Sequence, residues 1–494
     1  NYYPSEIVIF STAFIRSVSS IPTMTFKLFD NIEMLSPAVA FLIVSFSLGE
    51  LGDGLNIFQG IYLVAVGWNE GAVGIALSMM GFTALIVQTF AGDLVDKTNI
   101  DRRLFLSGAS ILTALSASAI FFVQGNSQHG LIYVTKIIEG ISSSFIGPCL
   151  SALVLATFGP NHFDAIMASN TMWGHIGSVV AAFLAGLVAY FMYPNIKLCF
   201  LVISASALLA VFFIGYLPEG DKLMGRGFMG KQALDKFGHV EQLVEGTEKD
   251  EALEEQTANK QLNDEPKASS YWEVISDKRC FLLCITGFFF HFANANVLLV
   301  LGELMGSENE EDGVPSRSAI PLIGGAIVLA QITMAAATWV GGRLTQRGVG
   351  RKPLFMAGIV TLPIRCALII IWKDAGDTYL LLTQILDGLG GGFFSLIHPF
   401  LVADLTFGTG RFNVVMGLTA SCFGLGGTLS NFIGQHVVEN FGHVTSLTGS
   451  LLLSIIPILI FGCFMPETLG DRGSVKRSGN GIITSGGSYI EMDH

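Results

Sequence analysis

Residues 157–167 read TFGPNHFDAIM and residues 406–416 read TFGTGRFNVVM. Five of the eleven positions are identical at an offset of 249, and Asp164/Asn413 and Ile166/Val415 are close substitutions. The offset recurs outside this stretch. Gly92 opens a loop ending in Arg102-Arg103, and Gly341 opens one of equal length ending in Arg351-Lys352. Gly177 has a counterpart at Gly426, while Glu139-Gly140 pairs with Asp387-Gly388 and Pro218-Glu219 with Pro466-Glu467 at 248. A period of about half the chain signals two copies of one architectural unit, not a short stacked repeat.

Composition says where such a unit can live. Half of the residues (51%) are hydrophobic and 13% are charged, about half the charge of a soluble domain, which has ~25%. Such a chain cannot cover an ordinary surface in water. Twelve apolar segments can be drawn: 37–65, 72–92, 104–124, 131–157, 164–193 and 197–217, then 279–303, 319–341, 353–373, 378–404, 411–438 and 443–465. Lengths of about 20 residues and more suit bilayer helices, and the 57 glycines suit helices whose backbones approach closely. The expected fold is an all-α membrane protein, with twelve transmembrane helices in two six-helix pseudo-symmetric bundles. Its expected parts are an N-terminal cytoplasmic tail (1–36), a first bundle (37–217), a cytoplasmic linker (218–278), a second bundle (279–466) and a disordered cytoplasmic tail (467–494). The chain begins with Asn, which fits a processed or partial sequence, and residues 1–36 read as a tail or the remnant of a targeting segment.

Lysine and arginine set the orientation. The face that holds the 92–103 loop also receives Lys222 to Arg279, then Arg343, Arg347, Arg351, Lys352 and Arg411, with both tails. The opposite face has Lys197, Arg317 and Lys373. The basic face therefore reads as cytoplasmic and both termini lie there, in a plasma or an organelle membrane. Much of the net charge of −12 sits in residues 241–265, so it points to no nucleic-acid partner. The seven cysteines fall in or beside apolar segments without CxxC or Cys/His spacing, and read as free thiols rather than metal ligands or disulfides. No HExxH, phosphate loop or nucleophile–base spacing is present. The expectation is no enzyme, no cofactor and no metal.

Gly92-Asp-Leu-Val-Asp96-Lys97 followed by Arg102-Arg103 resembles the loop between spans 2 and 3 of the major facilitator superfamily, whose pattern is Gly-x-x-x-Asp-Arg-x-Gly-Arg-Arg. Lys97 replaces the usual arginine, the later glycine is missing and two extra residues precede the basic pair. The second copy keeps Gly341 and Arg351-Lys352, with Thr345 in place of the aspartate. Lys136-Ile-Ile-Glu139-Gly140 on span 4 resembles the family's Arg-x-x-x-Gly motif, and Gly174, Gly177 and Gly186 resemble its glycine-rich span 5. The resemblance implies that Gly92, Asp96, Lys97, Arg102, Arg103, Arg351 and Lys352 form a cytoplasmic gate, in which Asp96 acts as a latch. The basic residues alternatively serve only to set topology. It also implies that spans 1, 4, 7 and 10 line a central cavity.

An ionisable group at the bilayer centre costs about 2.5–3.5 kcal/mol on insertion scales, so each one there invites a role. Span 1 carries Glu50, Asp53, Asn56 and Gln59 at intervals of three, a slow polar spiral in which two neighbouring carboxylates raise each other's pKa. Span 4 carries Lys136 and Glu139, able to pair on one face. Span 7 carries His291, Asn294 and Asn296, span 5 carries His175, and Asp387 is the second-half counterpart of Glu139. In the family, span 9 packs peripherally, so Arg365 reads as a structural anchor for a carboxylate. The expected pathway is Glu50, Asp53, Asn56, Lys136, Glu139, His291, Asn294 and Asp387. Acids outnumber bases, which suggests a proton-coupled carrier of a small organic solute, cationic or amphipathic, in the lipid bilayer; a monomer is expected. A sugar-type carrier is the nearest alternative, because Pro466-Glu467-Thr468 resembles the end of the sugar porters' last span; the paired span-7 glutamines of those porters are missing. A non-transporting receptor on the same scaffold is the other.

Overall fold

The computed structural model describes residues 36–49, 51, 56–192, 196–228, 266–306, 310–311, 314–315, 319–473, 475–478 and 481–484. Tail residues 1–35, most of the linker, Glu50 and Asp53 lie outside the described residues, and the side chain of Asn56 is likewise not described.

Ten helices among the described residues are long and apolar enough to cross a membrane. One of them, His129–Met192, is two spans. Gly159 interrupts it with φ 71° and ψ 172°, a left-handed backbone that glycine alone adopts cheaply, and Pro160 then begins span 5. Span 1 brings the total to twelve; it is described in two pieces, Pro37–Leu48 and Asn56–Ala65. The remaining spans are Glu70–Lys97 (2), Arg102–Ser118 (3), Leu201–Ile214 (6), Lys278–Gly306 (7), Ala319–Gln346 (8), Arg351–Ile371 (9), the pair Asp377–Leu382 and Gln384–Thr406 (10), Phe412–Phe441 (11) and His443–Phe464 (12). The β-structure among the described residues is two short antiparallel pairs, 310–311 with 314–315 and 475–478 with 481–484. All seven cysteines are free, and four are buried.

The half-chain period seen in the sequence has a physical counterpart in how helices touch. A Cβ at Gly177 would overlap the Phe46 carbonyl oxygen, seating span 5 on span 1; one at Gly426 would overlap the Phe288 carbonyl oxygen, seating span 11 on span 7. A Cβ at Gly140 would lie 2.5 Å from the Met80 carbonyl oxygen, and one at Gly388 would lie 2.5 Å from that of Ala330. Span 4 therefore lies on span 2 as span 10 lies on span 8. Small residues permit this because helices in lipid associate by close packing, not by hydrophobic exclusion. Gly159 and Gly408, the third residues of the two echoing stretches, both carry positive φ (71° and 80°). Each copy turns at the same place.

The halves meet along two seams. Span 2 crosses span 11 where Gly92 faces the Asn413 carbonyl and Gly417 faces that of Gln88; span 5 crosses span 8 where Gly342 faces the Ala168 methyl group.

Residues 467–473 depart from the expected disordered tail. Glu467 accepts the backbone N–H groups of Arg351 and Lys352 at 2.8 and 3.1 Å, Thr468 is fully buried and donates to Asp404 at 2.7 Å, and Asp471 pairs with Arg279 at 3.1 Å. Polar sequence suggested disorder, but Glu467 satisfies N–H groups at the start of span 9 that would otherwise lack partners, and Thr468 and Asp471 meet buried or charged side chains of the second half.

Gly177→Val and Gly426→Val should each destabilise by at least the 1–3 kcal/mol typical of overpacking, about that or more because the obstacle is backbone. Gly74→Val and Gly424→Val, which meet nothing within 4 Å, should change little. Thermal unfolding of the detergent-solubilised protein checks the contrast.

Candidate functional site

Two charged clusters sit midway through the spans at equivalent places in the two halves. In the first, Lys136 Nζ lies 2.5 Å from Glu139 Oε2 on span 4, with side chains 0% and 2% exposed. One helical turn brings them together, and Gly140 lets span 2 close over them. Glu139 Oε1 has no hydrogen-bond partner among the described residues.

The second cluster draws on three helices. Arg365, reaching in from span 9, places Nη1 2.5 Å from Asp387 Oδ1 on span 10 and donates to Asn294 Oδ1 on span 7 at 3.1 Å. Its Nη2 approaches Gln384 Oε1 at 3.4 Å, and Asn294 Nδ2 donates weakly to Asp387 Oδ1 at 3.4 Å. Arg365 is therefore the anchor expected for a carboxylate, and that carboxylate is Asp387. Each of the two described mid-span carboxylates in these clusters has its own cation; Glu50 and Asp53, on which the expected excess of acid over base depends, lie outside the described residues.

His291 is not part of this cluster. Its ring stacks on Phe423 at 5.3 Å and meets Phe394 edge-on at 5.1 Å, and it makes no hydrogen bond among the described residues. His175 has a different position. Its Nδ1 lies 2.7 Å from Gln331 Oε1 on span 8 and its Nε2 3.3 Å from Ser395 Oγ on span 10, so it ties the halves together at mid-depth.

The echoing stretches themselves land at the basic face, where they close it. Asp96, at the end of span 2 and 4% exposed, accepts from Asn413 Nδ2 at 2.7 Å and from the Val414 N–H at 2.9 Å. A carboxylate here also complements the positive end of span 11. Asp164, the repeat counterpart of Asn413, pairs with Arg351 across the other seam. Arg351 Nε also donates to Asp404 at 3.2 Å. Tyr271, from the linker, donates to Asp93. Its ring lies 4.0 Å from the Arg411 guanidinium and 5.0 Å from Lys97 Nζ.

The remaining gate residues bond within their own half or to the linker. Arg102 donates to the Lys222 carbonyl at 3.0 Å, Arg103 donates to that of Leu217 at 2.8 Å, and Lys97 pairs with Asp93 at 2.7 Å. Lys352 contributes its backbone N–H to Glu467. Sequence reasoning missed Asp164, Asn413, Tyr271 and Arg472. An acid-to-amide exchange at the most alike stretch of the repeat was the available signal for the first two. Arg472 lies 2.5 Å from Asp404 and 2.8 Å from Asp164. Burial works against its charge, but Asp404 and Asp164 more than offset that and hold its pKa above the ordinary arginine value.

A duplicated twelve-span bundle with paired charges buried within the spans and a closed seam at one face is the architecture of a membrane transporter. The Major Facilitator Superfamily model matches residues 25–330 and 283–482. Uncharacterized MFS-type transporters of Mycobacterium tuberculosis, from strains CDC 1551 / Oshkosh and ATCC 25618 / H37Rv, are 30% identical over 441 residues, covering 89% of this chain and 95% of theirs. The chain belongs to the major facilitator superfamily, a family of transporters and not of enzymes. Its fold is similar to that of the MFS proton:xylose symporter XylE bound to 6-bromo-6-deoxy-D-glucose, with TM-score 0.65 and 14% identity over 87% of this chain and 95% of that one.

Removing one partner of a buried ion pair typically costs about 3–5 kcal/mol, because the other charge is left uncompensated. Asp387→Asn should therefore destabilise strongly, and Arg365→Met in the same chain should restore much of the loss. Unfolding midpoints of the single and double variants check this.

Proposed function

We propose that this protein is a secondary transporter that moves a small organic solute by alternating access and couples the movement to protons. The observation that carries the reading is the matched placement of the carboxylates Glu139 and Asp387, each held by a buried cation, Lys136 from the same span in one half and Arg365 from span 9 in the other. Duplicated carriers bind near the bilayer midplane where the repeats meet. A proton taken up by either carboxylate would release its basic partner, changing which contacts the halves can make; a ligand shifts a conformational equilibrium only through such differential interactions.

Charge balance bears on the solute. The described mid-span acids are neutralised one for one, which favours an uncharged or zwitterionic organic molecule over a cation. Selecting a cation would fall to Glu50 and Asp53. A sugar-type carrier is the second reading, favoured by Pro466-Glu467-Thr468 and the way Glu467 holds the start of span 9. The excess of Lys and Arg supports a cytoplasmic basic face. The linker over 218–278 would then be a tether that lets the halves, 37–217 and 279–466, rock as a monomer.

Reconstitution into proteoliposomes tests the reading. With a metabolite panel outside and a pH gradient imposed, the wild type should accumulate a solute and carry protons with it, followed by a trapped pH dye. Glu139→Gln, or Asp387→Asn carrying the rescuing Arg365→Met, should lower gradient-driven accumulation by an order of magnitude or more, on the order of 10-fold per 1.4 kcal/mol of lost coupling, while leaving solute exchange without a gradient. Asp53→Asn should abolish transport only if the solute is cationic. A wild type that moves neither solute nor protons under any gradient would sink the proposal.

A further inference from the structure

Four side chains at the basic face form a closed ring of alternating charge. Asp164 pairs with Arg351, Arg351 with Asp404 at 3.2 Å, Asp404 with Arg472 at 2.5 Å, and Arg472 with Asp164 again at 2.8 Å. Asp404 is 1% exposed and Arg351 4%. The ring is neutral, two against two, but it is not evenly shared. Asp164 belongs to the first half, on span 5; Asp404 and Arg351 belong to the second.

Arg472 belongs to no span. It lies in the short turn Asp471–Gly473, beyond span 12, and its segment is fastened to the second half through Glu467, Thr468 and Asp471. Arg472 carries that segment across to the first half. Its Nη1 donates to the Pro160 carbonyl at 3.2 Å, its guanidinium lies 5.3 Å from the Phe163 ring, and its Nη2 donates to the Phe400 carbonyl at 3.1 Å on the other side. Pro160, Phe163 and Asp164 all come from the first echoing stretch.

Opening the basic face requires Asp164 to leave. What remains is one buried acid, Asp404, facing two arginines, and burying an unmatched charge is costly. That cost is relieved if one arginine withdraws to water, and Arg472 is the one on a segment outside the bundle, whereas Arg351 begins span 9. We propose that residues 466–473 are a moving bolt of the gate: Arg472 holds the basic face shut by joining Asp164 to Asp404, and it leaves Asp404 when the halves part. Arg472 is thus a positioning residue that sets the resting conformation without touching solute. The proposal rests on the alternating-access reading, so its test needs no solute.

Spin labels at His162→Cys, at the exposed start of span 5, and Arg347→Cys, just past span 8, report the separation of the halves by pulsed electron resonance in nanodiscs, with Cys463 replaced by serine. Arg472→Gln should shift the distribution to longer distances, changing the open-to-closed ratio on the order of tenfold, within the usual range of conformational coupling. Arg472→Lys keeps the charge beside Asp404 but lacks the fork that reaches both acids, and should fall between the two. It also serves if the glutamine variant folds poorly. Asp164→Asn should open the face as well, and adding Arg472→Gln to it should open it little further, because both act through one contact. An unchanged distribution in Arg472→Gln and Arg472→Lys, with Asp164→Asn widening it, would overturn the bolt and leave alternating access standing. Full additivity of the two substitutions would also overturn the bolt. A distribution that no variant and no pH moves would overturn alternating access itself.

Discussion

An ionised side chain inside hydrocarbon must bring its counter-charge with it, and this rule shapes the charged clusters of the protein. Lys136 is fully buried because Glu139 is one turn away. Arg365 is 1% exposed because Asp387, Asn294 and Gln384 meet it from two other helices. Such pairs add little net stability compared with apolar packing, since desolvation consumes most of the Coulombic gain. Their two carboxylates nevertheless occupy matched positions in the two halves. Stability comes instead from close helix contacts, in which glycines let carbonyl groups of one span press on the next.

The two copies have diverged where they close on each other. In one seam an amide does the work: Asn413 and the Val414 N–H hold Asp96. In the other, at the equivalent position, Asp164 takes arginines. The equivalent of Asp96 is Thr345, which hydrogen-bonds within its own helix, to Gly341 at 2.9 Å. One seam thus rests on hydrogen bonds to a helix start, the other on a charge ring. The two depend differently on ionic strength and on the proximity of basic groups, so the basic face is fastened in two physically different ways. Tyr271 and Arg472 extend both fastenings into segments outside the spans.

Much of the architecture was legible in the chain itself. Span count follows from the length of apolar runs, duplication from an offset that recurs at Gly140/Gly388 and Gly177/Gly426, and the Lys136–Glu139 pair from helical spacing, because all three are local or periodic properties. Tertiary structure alone decided which distant groups became partners. Arg365 joins Asp387 only because span 9 packs beside span 10, and His291 sits in an aromatic cluster with Phe394 and Phe423. Arg472, read as part of a disordered tail, finds its place only when spans 5 and 10 converge beside it. Pairings of this kind depend on helix rotation and tilt, to which hydropathy is blind: every lipid-facing and every cavity-facing position in a span is drawn from the same apolar alphabet, and a charge's partner is set by which helix happens to stand within about 3 Å of it.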